Sequence, residues 1–454
     1  MHHTPKMAYE RVPALFADLA AGTAAAASWH LQKAATRSAS VLAQTVSTSP
    51  ELARRMAEVP GALPALVAAV AAGSSAAAPR LQTSAMHSAC MLAQIASASP
   101  ELARRVAWEP SALATLVAAV AAHSTAAGRD RHGVATNSVL ALAQLTTTCL
   151  ELAPRVADLP GALPALVAAV AAGSTAVGPS LQDVATHSAV VLSNITEAGP
   201  EFVRRVAEQP GALPTLVAAV AAGGAAAGCS RQEAAVSSAA ALACITKAGP
   251  EVVWRVAAEP GALPTLVTTV AAGAAAAARS LQDAAANSAV VLVQIAMARP
   301  VLARRVAEEP GALPALVAAM AAGGTRAAPS QQRMATCSGV ALSNLVSARP
   351  ELAWRVAEEP GALPALVASL AAGGAAAAPT LQDAATYSAL ALERMASASP
   401  YLARRVAEEA PEALQQLVAA VAAGGAGPAA ALRATAANSA LVLANIASAH
   451  TGLV

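Results

Sequence analysis

The sequence predicts an all-α protein built as a solenoid of stacked helical repeats, with three helices in each repeat. The chain of 454 residues matches itself at an offset of 50 residues. A period of about 20–50 residues is typical of stacked units that cannot bury their apolar faces alone. Within each repeat, proline and glycine signals separate three segments whose apolar residues have helical spacing.

Two motifs define the repeat. Pro-Gly-Ala-Leu-Pro begins at residues 60, 160, 210, 260, 310 and 360, and a serine recurs at residues 38, 88, 138, 188, 238, 288, 338, 388 and 439. The last interval is one residue longer because of an insertion near Pro411. We therefore predict a single domain over residues 1–454. It comprises a partial first repeat without its first helix (1–49), full repeats (50–99, 100–149, 150–199, 200–249, 250–299, 300–349 and 350–399) and a last repeat (400–454).

The first two helices of a repeat are marked by their ends. Pro200 and Glu201 suit the start of a short helix, since proline is tolerated at the first position and a carboxylate favours the positive end of the helix dipole. The pair Pro210-Gly211 ends this helix. A second helix is predicted from Ala212 to Ala222, with apolar residues at i, i+3, i+4 and i+7, and Gly223 fits the residue after its C-terminus.

The third helix carries a predicted capping box and a buried stripe. Ser180 to Asp183 has the spacing of a capping box, and the same pattern recurs at Ser230, Ser280 and Thr380. The predicted stripe consists of Leu181, Ala185, Ser188, Leu192 and Ile195. We expect its small serine to let a neighbouring helix approach closely, with the hydroxyl bonded to its own i−4 carbonyl.

Composition excludes several functional classes. The net charge is +2 from 29 basic and 27 acidic residues, so the chain has no overall attraction to nucleic acid or anionic membranes. Apolar residues reach 56%, yet apolar runs such as 162–173 are too short to cross a bilayer. We expect a soluble, intracellular, cytoplasmic protein without catalytic residues, metal, cofactor or small-molecule substrate. The scattered cysteines, which favour a reducing compartment, are Cys90, Cys149, Cys229, Cys244 and Cys337.

The chain resembles the armadillo repeat family from about Tyr9 to Ala449. The resemblance rests on the short first helix, the Pro-Gly break, the second helix Gly-Ala-Leu-Pro-Ala-Leu-Val and a long third helix ending in Leu192-Ser193-Asn194-Ile195. HEAT repeats are near neighbours, and these units exceed the typical armadillo length of about 42 residues. The resemblance implies a right-handed superhelix whose third helices line a concave groove. That groove binds partner proteins or extended peptides, without catalytic activity.

Two rows of third-helix residues are the candidate binding residues, because they lie opposite the predicted buried stripe. The resemblance implies that the asparagine at the Asn194 position holds the backbone of a bound peptide, a role that carboxamides suit because they both donate and accept. The alternative is that both rows are ordinary solvated residues. The candidates are Gln44, Gln94, Gln144, Asn194, Gln294, Asn344 and Asn445 in one row, and His87, Asn137, His187, Asn287, Tyr387 and Asn438 in the other.

One difference from the armadillo family excludes a class of partner. Importin-type armadillo repeats carry a tryptophan four residues before that asparagine, and this chain has none there. Recognition of a basic nuclear-localisation peptide is therefore not expected. The residues at that position are Ser40, Cys90, Leu140, Val190, Ala240, Val290, Val340, Leu390 and Leu441.

Paired arginines on the first helices, such as Arg204-Arg205 and Arg304-Arg305, allow two interpretations. They form a solvated helix face with weak i,i+4 ion pairs, or a charged ridge that binds a periodic partner or a neighbouring copy. If this ridge contacts the partners, an alternative function is favoured, in which the chain is a structural subunit of a ciliary, axonemal or cytoskeletal assembly. A nucleic-acid-binding helical repeat is less favoured, because the candidate rows are nearly neutral and aromatic residues are scarce. Cilium, cytoskeleton and nucleus are the alternative locations.

The repeat at residues 100–150 departs from the others. His123 replaces a glycine, Arg129 to Gly133 replace the capped segment, and Leu150 replaces a proline. Sequence drift, a local contact site and a change in curvature all fit this irregularity. Neither end of the chain carries a polar capping repeat, which fits a fragment of a longer protein, ends buried against partners, or self-stacking.

Overall fold

A computed structural model describes residues 11–24, 27–75, 78–123, 129–176, 178–224, 227–373, 378–409, 412–426 and 429–451. Throughout these ranges the regular elements are helices, and no strand occurs among them. The chain divides into two compact parts, an N-terminal half that ends at Ala222 and a C-terminal half that begins at Gly223. The predicted all-α class with three helices per repeat is confirmed, while its organisation as one domain stays a prediction.

The helices fall into three sets that recur along the chain. The first helices are Pro50–Glu58, Pro100–Trp108, Leu152–Ala157, Pro200–Glu208, Pro250–Ala258, Pro300–Glu308, Pro350–Glu358 and Pro400–Glu409. The second helices are Val12–Thr23, Ala62–Ser75, Ala112–His123, Ala162–Thr175, Ala212–Ala222, Ala262–Ala275, Ala312–Ala321, Ala362–Ala372 and Ala413–Ala426. The third helices are Trp29–Val46, Pro79–Ala98, Arg129–Thr148, Pro179–Glu197, Cys229–Thr246, Arg279–Ala298, Pro329–Ala348, Pro379–Ala398 and Ala430–Thr451.

The boundaries of the first and second helices follow the predicted signals. Pro200 is the first residue of its helix, and the second helix of that repeat runs from Ala212 to Ala222 as predicted. Gly211 sits between them with φ of 77°, in the left-handed region that favours glycine. Where Leu150 replaces the proline, the first helix shortens to Leu152–Ala157, with Pro154 inside its first turn.

The glycine near the end of the second helix has a role that the sequence did not indicate. In several repeats the helix continues through this glycine, as at Gly173 in Ala162–Thr175. Gly173 lies against the third helix of the same repeat, where an added Cβ would overlap Ala185 and the Leu181 carbonyl oxygen. These repeats therefore need glycine for close helix crossing, and a C-terminal signal alone does not explain it.

The predicted capping boxes of the third helices are wrong. Their helices begin at Pro179 or Arg279, two residues earlier than an N-cap at Ser180 or Ser280 predicts, so that both serines lie inside the first turn. The residues that precede these helices make no side-chain capping bond. Ser280 Oγ instead donates to Gln232 Oε1 of the preceding repeat at 2.7 Å. These polar residues therefore join neighbouring repeats.

The recurrent serine packs as predicted but does not bond as predicted. Ser188 and its equivalents are fully buried, yet their hydroxyls have no hydrogen-bond partner. Ser38 is the exception, because its Oγ donates to Asp18 Oδ2 of the second helix at 3.3 Å. Ala168 stands at the corresponding second-helix position opposite Ser188 and offers no acceptor. The predicted bond to the i−4 carbonyl does not form.

Candidate partner-binding surface

The third helices of each half pack on one another in chain order. Equivalent residues of successive repeats are therefore neighbours, and three positions per helix form a surface that we call the third-helix face. In the N-terminal half the face comprises Arg37, Ser40, Gln44, His87, Cys90, Gln94, Asn137, Leu140, Gln144, His187, Val190 and Asn194. In the C-terminal half it comprises Ser237, Ala240, Cys244, Asn287, Val290, Gln294, Cys337, Val340, Asn344, Tyr387, Leu390, Arg394, Asn438, Leu441 and Asn445.

The middle row of this face is largely apolar. Leu140 and Val190 in the N-terminal half, and Val290, Val340 and Leu390 in the C-terminal half, are all half-buried. The two rows that flank it hold the predicted polar residues. The C-terminal half thus presents a narrow apolar strip bordered on both sides by largely hydrogen-bonding side chains. In the N-terminal half the strip comprises Leu140 and Val190.

The row at the Asn194 position is partly engaged within the protein. Gln44 is exposed, and the other predicted members of this row are half-buried: Gln94, Gln144, Asn194, Gln294, Asn344 and Asn445. Asn194 Nδ2 donates to Thr146 Oγ1 at 2.9 Å and to Thr147 Oγ1 at 3.0 Å. Gln94 Oε1 is buried and has no hydrogen-bond partner. Asn194 therefore links two repeats.

Some residues of the row at the His187 position also make hydrogen bonds within the protein, and they differ in burial. His87, Asn137, His187, Tyr387 and Asn438 are half-buried, whereas Asn287 is buried. Asn137 Nδ2 donates to the Gly133 carbonyl at 2.8 Å, and Asn287 Nδ2 donates to the Val236 carbonyl of the preceding repeat at 3.4 Å. Burial lowers the pKa of His87 below its ordinary value. A role for either row in partner binding stays a prediction.

Positive charge concentrates at the start of the N-terminal half. Lys33 and Arg37 are exposed on the third helix Trp29–Val46. The Trp29 ring lies 5.1 Å from Lys33 Nζ and 4.3 Å from the Arg80 guanidinium carbon. Both are cation–π contacts. The contact with Lys33 could be predicted, because Lys33 lies one helical turn after Trp29 in the sequence. The contact with Arg80 could not, because Arg80 belongs to the next repeat.

In several repeats, the first-helix arginine at the Arg205 position joins neighbouring repeats. Arg105 donates to the Ala57 carbonyl at 2.9 Å and Arg205 to the Ala157 carbonyl at 2.6 Å. Arg355 makes the equivalent bond to Ala307 at 2.8 Å. Each bond satisfies a carbonyl at the C-terminus of the preceding first helix, where positive charge also complements the helix dipole. The recurrence of this arginine is visible in the sequence, but the carbonyl that it reaches in the preceding repeat is not.

The first arginine of each pair fits the solvated-face interpretation more closely. Arg304 Nε lies 2.6 Å from Glu308 Oε1, an exposed i,i+4 ion pair. Arg104 instead reaches the next repeat, where its Nε lies 2.5 Å from Glu151 Oε1. The hydrogen bond from Arg104 lowers the pKa of Glu151. Exposed pairs of this kind contribute little to stability, so the arginines leave the first-helix surface open for other contacts.

The irregular repeat at 100–150 shows no catalytic arrangement in the residues described for it. The side chains of His123 and Arg129 to Arg131 lie outside that description. Cys149 is buried beside Arg104 and Glu151, and burial, followed by the hydrogen bond to Glu151, raises the pKa of its thiol. A protonated thiol is a poor nucleophile. No group of three His, Cys, Asp or Glu that could hold a metal occurs in the parts of the chain that the structure describes.

One third helix has the length and composition of a membrane span. Arg279–Ala298 passes this test, although 72% of its apolar window is buried inside the helical stack. Core helices of solenoids pass the same test, because they are apolar where they contact their neighbours.

No family model matches the chain, and a search of curated proteins finds no relative. Among solved structures, the chain is similar to a β-catenin structure from work entitled "A conserved phosphorylation switch controls the interaction between cadherin and beta-catenin in vitro and in vivo". The two are 13% identical, with a TM-score of 0.52, over 98% of this chain and 88% of that chain. β-Catenin is an armadillo-repeat protein, and the likeness shows that this chain has an armadillo-like α-solenoid fold.

Proposed function

We propose that this chain is a non-enzymatic, armadillo-type scaffold that binds a partner protein or an extended peptide along its third-helix face. The observation that supports this proposal is the half-buried apolar strip bordered by polar rows, which recurs on successive third helices of each half. A surface of this kind can bind a backbone through hydrogen bonds and side chains through apolar contact.

The spacing of the face fits an extended segment. Packed helices lie about 8–10 Å apart, and an extended chain in the polyproline II conformation advances about 3.1 Å per residue with three residues per turn. About three partner residues would then cover one repeat, and every third partner side chain would meet the strip beside Val290, Val340 and Leu390. We propose a partner segment of low charge, with apolar residues at that interval, because the strip itself carries no charge.

The similarity to β-catenin supports a protein as the partner class. The work on the β-catenin structure concerns an interaction between cadherin and β-catenin. In that interaction the partner of the armadillo-like solenoid is a protein. We propose cytoplasmic binding within a larger complex, without nucleic acid or cofactor.

The second candidate function is a structural subunit of a large assembly, such as a ciliary, axonemal or cytoskeletal complex. This candidate is favoured by aromatic side chains on the outside of the first helices, where Trp354 stacks on Tyr401 at a ring distance of 5.3 Å. Tyr401 remains 56% exposed. Contacts along the first helices would serve assembly and leave the third-helix face free.

A peptide-display selection tests the groove proposal. The full chain is used as bait, and selected peptides are then measured against the double variant Val340→Glu/Leu390→Glu. We expect selected peptides to share the three-residue apolar interval and to lose at least about tenfold in affinity for this variant, since it places charge in the strip. The matched control is Arg304→Glu/Tyr401→Glu on the first helices, which should bind as the wild type does. Equal loss in both variants, or loss only in the control, would contradict the groove.

A further inference from the structure

The first helices of the C-terminal half expose apolar side chains where other repeats carry charge. Trp254 and Trp354 occupy the position of Arg104 and Arg204, while Val301 and Tyr401 occupy the position of Glu101 and Glu201. Trp254 is 43% exposed, and Val301 and Tyr401 are each 56% exposed. These residues form a surface that we call the C-terminal ridge.

Two of these positions meet across neighbouring repeats. Arg104 pairs with Glu151 at 2.5 Å, and Trp354 stacks on Tyr401 with nearly parallel rings. The two residues of each pair are 47 positions apart in the sequence. Both pairs therefore make the equivalent contact between neighbouring repeats, one through an ion pair and the other through aromatic stacking. Trp254 and Val301 have that spacing too, so they are apolar residues at the two equivalent positions. Met297, which is 58% exposed three residues before Pro300, extends this apolar surface.

A charged pair stands between the two apolar pairs. Arg304 and Glu351 have the same 47-residue relation, and Glu351 acts electrostatically on Arg304. Arg304 is also paired with Glu308. Along the C-terminal ridge the order is therefore apolar pair, charged pair and aromatic pair, with about 10 Å between successive pairs.

This order is self-complementary. A two-fold axis through the charged pair, perpendicular to the ridge, exchanges the positions of the two apolar pairs. It also places Arg304 of each copy opposite Glu351 of the other. Most closed homodimers use such an isologous interface, in which one patch pairs with itself.

We propose that the C-terminal ridge is a homotypic interface that joins two copies of this chain antiparallel. The pair Trp254 and Val301 of one copy packs on Trp354 and Tyr401 of the other, and two Arg304–Glu351 contacts fix the register. Aromatic residues and arginine are the side chains that most often dominate interfaces. The surface is small, so the dimer is weak and depends on concentration, in the class that buries less than about 1,200 Å². The proposal does not depend on the function of the third-helix face.

The N-terminal half provides the internal contrast. Its equivalent positions hold Arg54 with Glu101, Arg104 with Glu151, and Pro154 with Glu201, none of which is aromatic. The exposed ion pair of Arg104 with Glu151 remains hydrated and contributes little to association. Only the C-terminal half carries the proposed pattern in the residues that the structure describes.

Sedimentation velocity on the full chain, over a concentration series, tests the interface. The variant Trp254→Arg/Val301→Glu installs the residues that Arg104 and Glu151 supply in another repeat, so we expect it to fold. We expect it to weaken self-association at least about tenfold. The matched control is Trp108→Glu, which removes an exposed tryptophan of the N-terminal half in favour of the residue found at Glu58 and Glu208. The control should dimerise as the wild type does.

Charge reversal tests the antiparallel register. Arg304→Glu alone and Glu351→Arg alone should each be monomeric, because like charges then face each other. An equimolar mixture of the two should form a heterodimer, since each reversed residue meets an opposite charge across the two-fold axis. Recovery on mixing also shows that both variants are folded. A wild-type chain that stays monomeric throughout, a dimer indifferent to the Trp254 variant, or a mixture that does not recover would each overturn the proposal.

Discussion

Two regions of each repeat differ in how many residue types they accept. One is the packed crossing between the second and third helices, which we call the seam, and the other is the third-helix face. At the seam, Gly173 crosses Ala185 so closely that a methyl group has no room, and the equivalent glycines Gly73, Gly273 and Gly373 meet the same restriction. On the face, the row that contains Asn194 also admits glutamine, cysteine and arginine. Where packing decides the residue, most repeats agree, with His123 as the exception in the repeat at 100–149. Where solvent or a partner decides, they diverge, and the face can be specialised repeat by repeat without loss of fold.

The largest expected effect is at the seam. Gly173→Val should destabilise its repeat by about 3 kcal/mol, because overfilling a packed helix crossing forces the helices apart. Hydrogen exchange measured by mass spectrometry should show faster exchange in residues 150–199, since solenoid stability is largely local. Gly178→Ala is the matched control: it has open space around it and an ordinary φ of −81°. Normal protection in Gly173→Val would contradict the close crossing.

A second seam variant should act in the opposite direction. Ser188→Ala removes a fully buried hydroxyl without a hydrogen-bond partner, so it should stabilise the repeat by about 1 kcal/mol. The measurement is the change in protection of Pro179–Glu197. The control is Ser38→Ala, which loses a bond to Asp18 and should not stabilise. Loss of protection in Ser188→Ala would mean that its hydroxyl has a partner.

On the face, the same kind of truncation should have a smaller effect. Asn194→Ala removes two hydrogen bonds to Thr146 and Thr147 at a half-buried site. We expect a loss of about 0.5–1 kcal/mol between the repeats at 100–149 and 150–199. Gln44→Ala, at an exposed position of the same row, should be neutral. An effect as large as that of Gly173→Val would erase the distinction between seam and face.

The smallest effect concerns pH. Burial lowers the pKa of His87 below its ordinary 6.5, so in the window below pH 6.5 the unfolded state binds more protons than the folded state. Stability is therefore full above about pH 6.5 and falls as the pH drops through that window. His87→Asn, which installs the residue found at Asn137, should reduce the fall in melting temperature between about pH 7.5 and 5.5. His30→Asn, at an exposed position, is the control, and an unchanged fall in His87→Asn would contradict the assignment.

Much of the fold was predictable because the signals are local and recur. Pro200 at a helix start and Pro210-Gly211 at a break act through backbone geometry that each residue carries with it. The bond from Arg205 to the Ala157 carbonyl was not predictable, since it joins residues 48 positions apart. A period fixes where a residue recurs but not which way its side chain points.

For the candidate site, the sequence predicted which residues lie on the third-helix face but not what their side chains contact. Helical spacing placed Asn194 and Asn287 on the face, yet their amide groups bond to the preceding third helix. The capping prediction failed at Ser180 for a related reason. Pro179 can begin a helix by itself, which moves the serine inside the first turn. In both cases a tertiary contact used a side chain whose local pattern indicated another role.

Site-specific photo-crosslinking in cells of the source organism can show which surface of the chain contacts a partner protein. A photoreactive residue is placed at Val190 or Val340 on the third-helix face, and at Arg204 or Tyr401 on the first helices as matched positions. We predict that both face positions capture the same partner protein, and that the Tyr401 position captures a second copy of this chain. Capture of one partner at Arg204 and Tyr401, with none at Val190 and Val340, would contradict binding along the third-helix face.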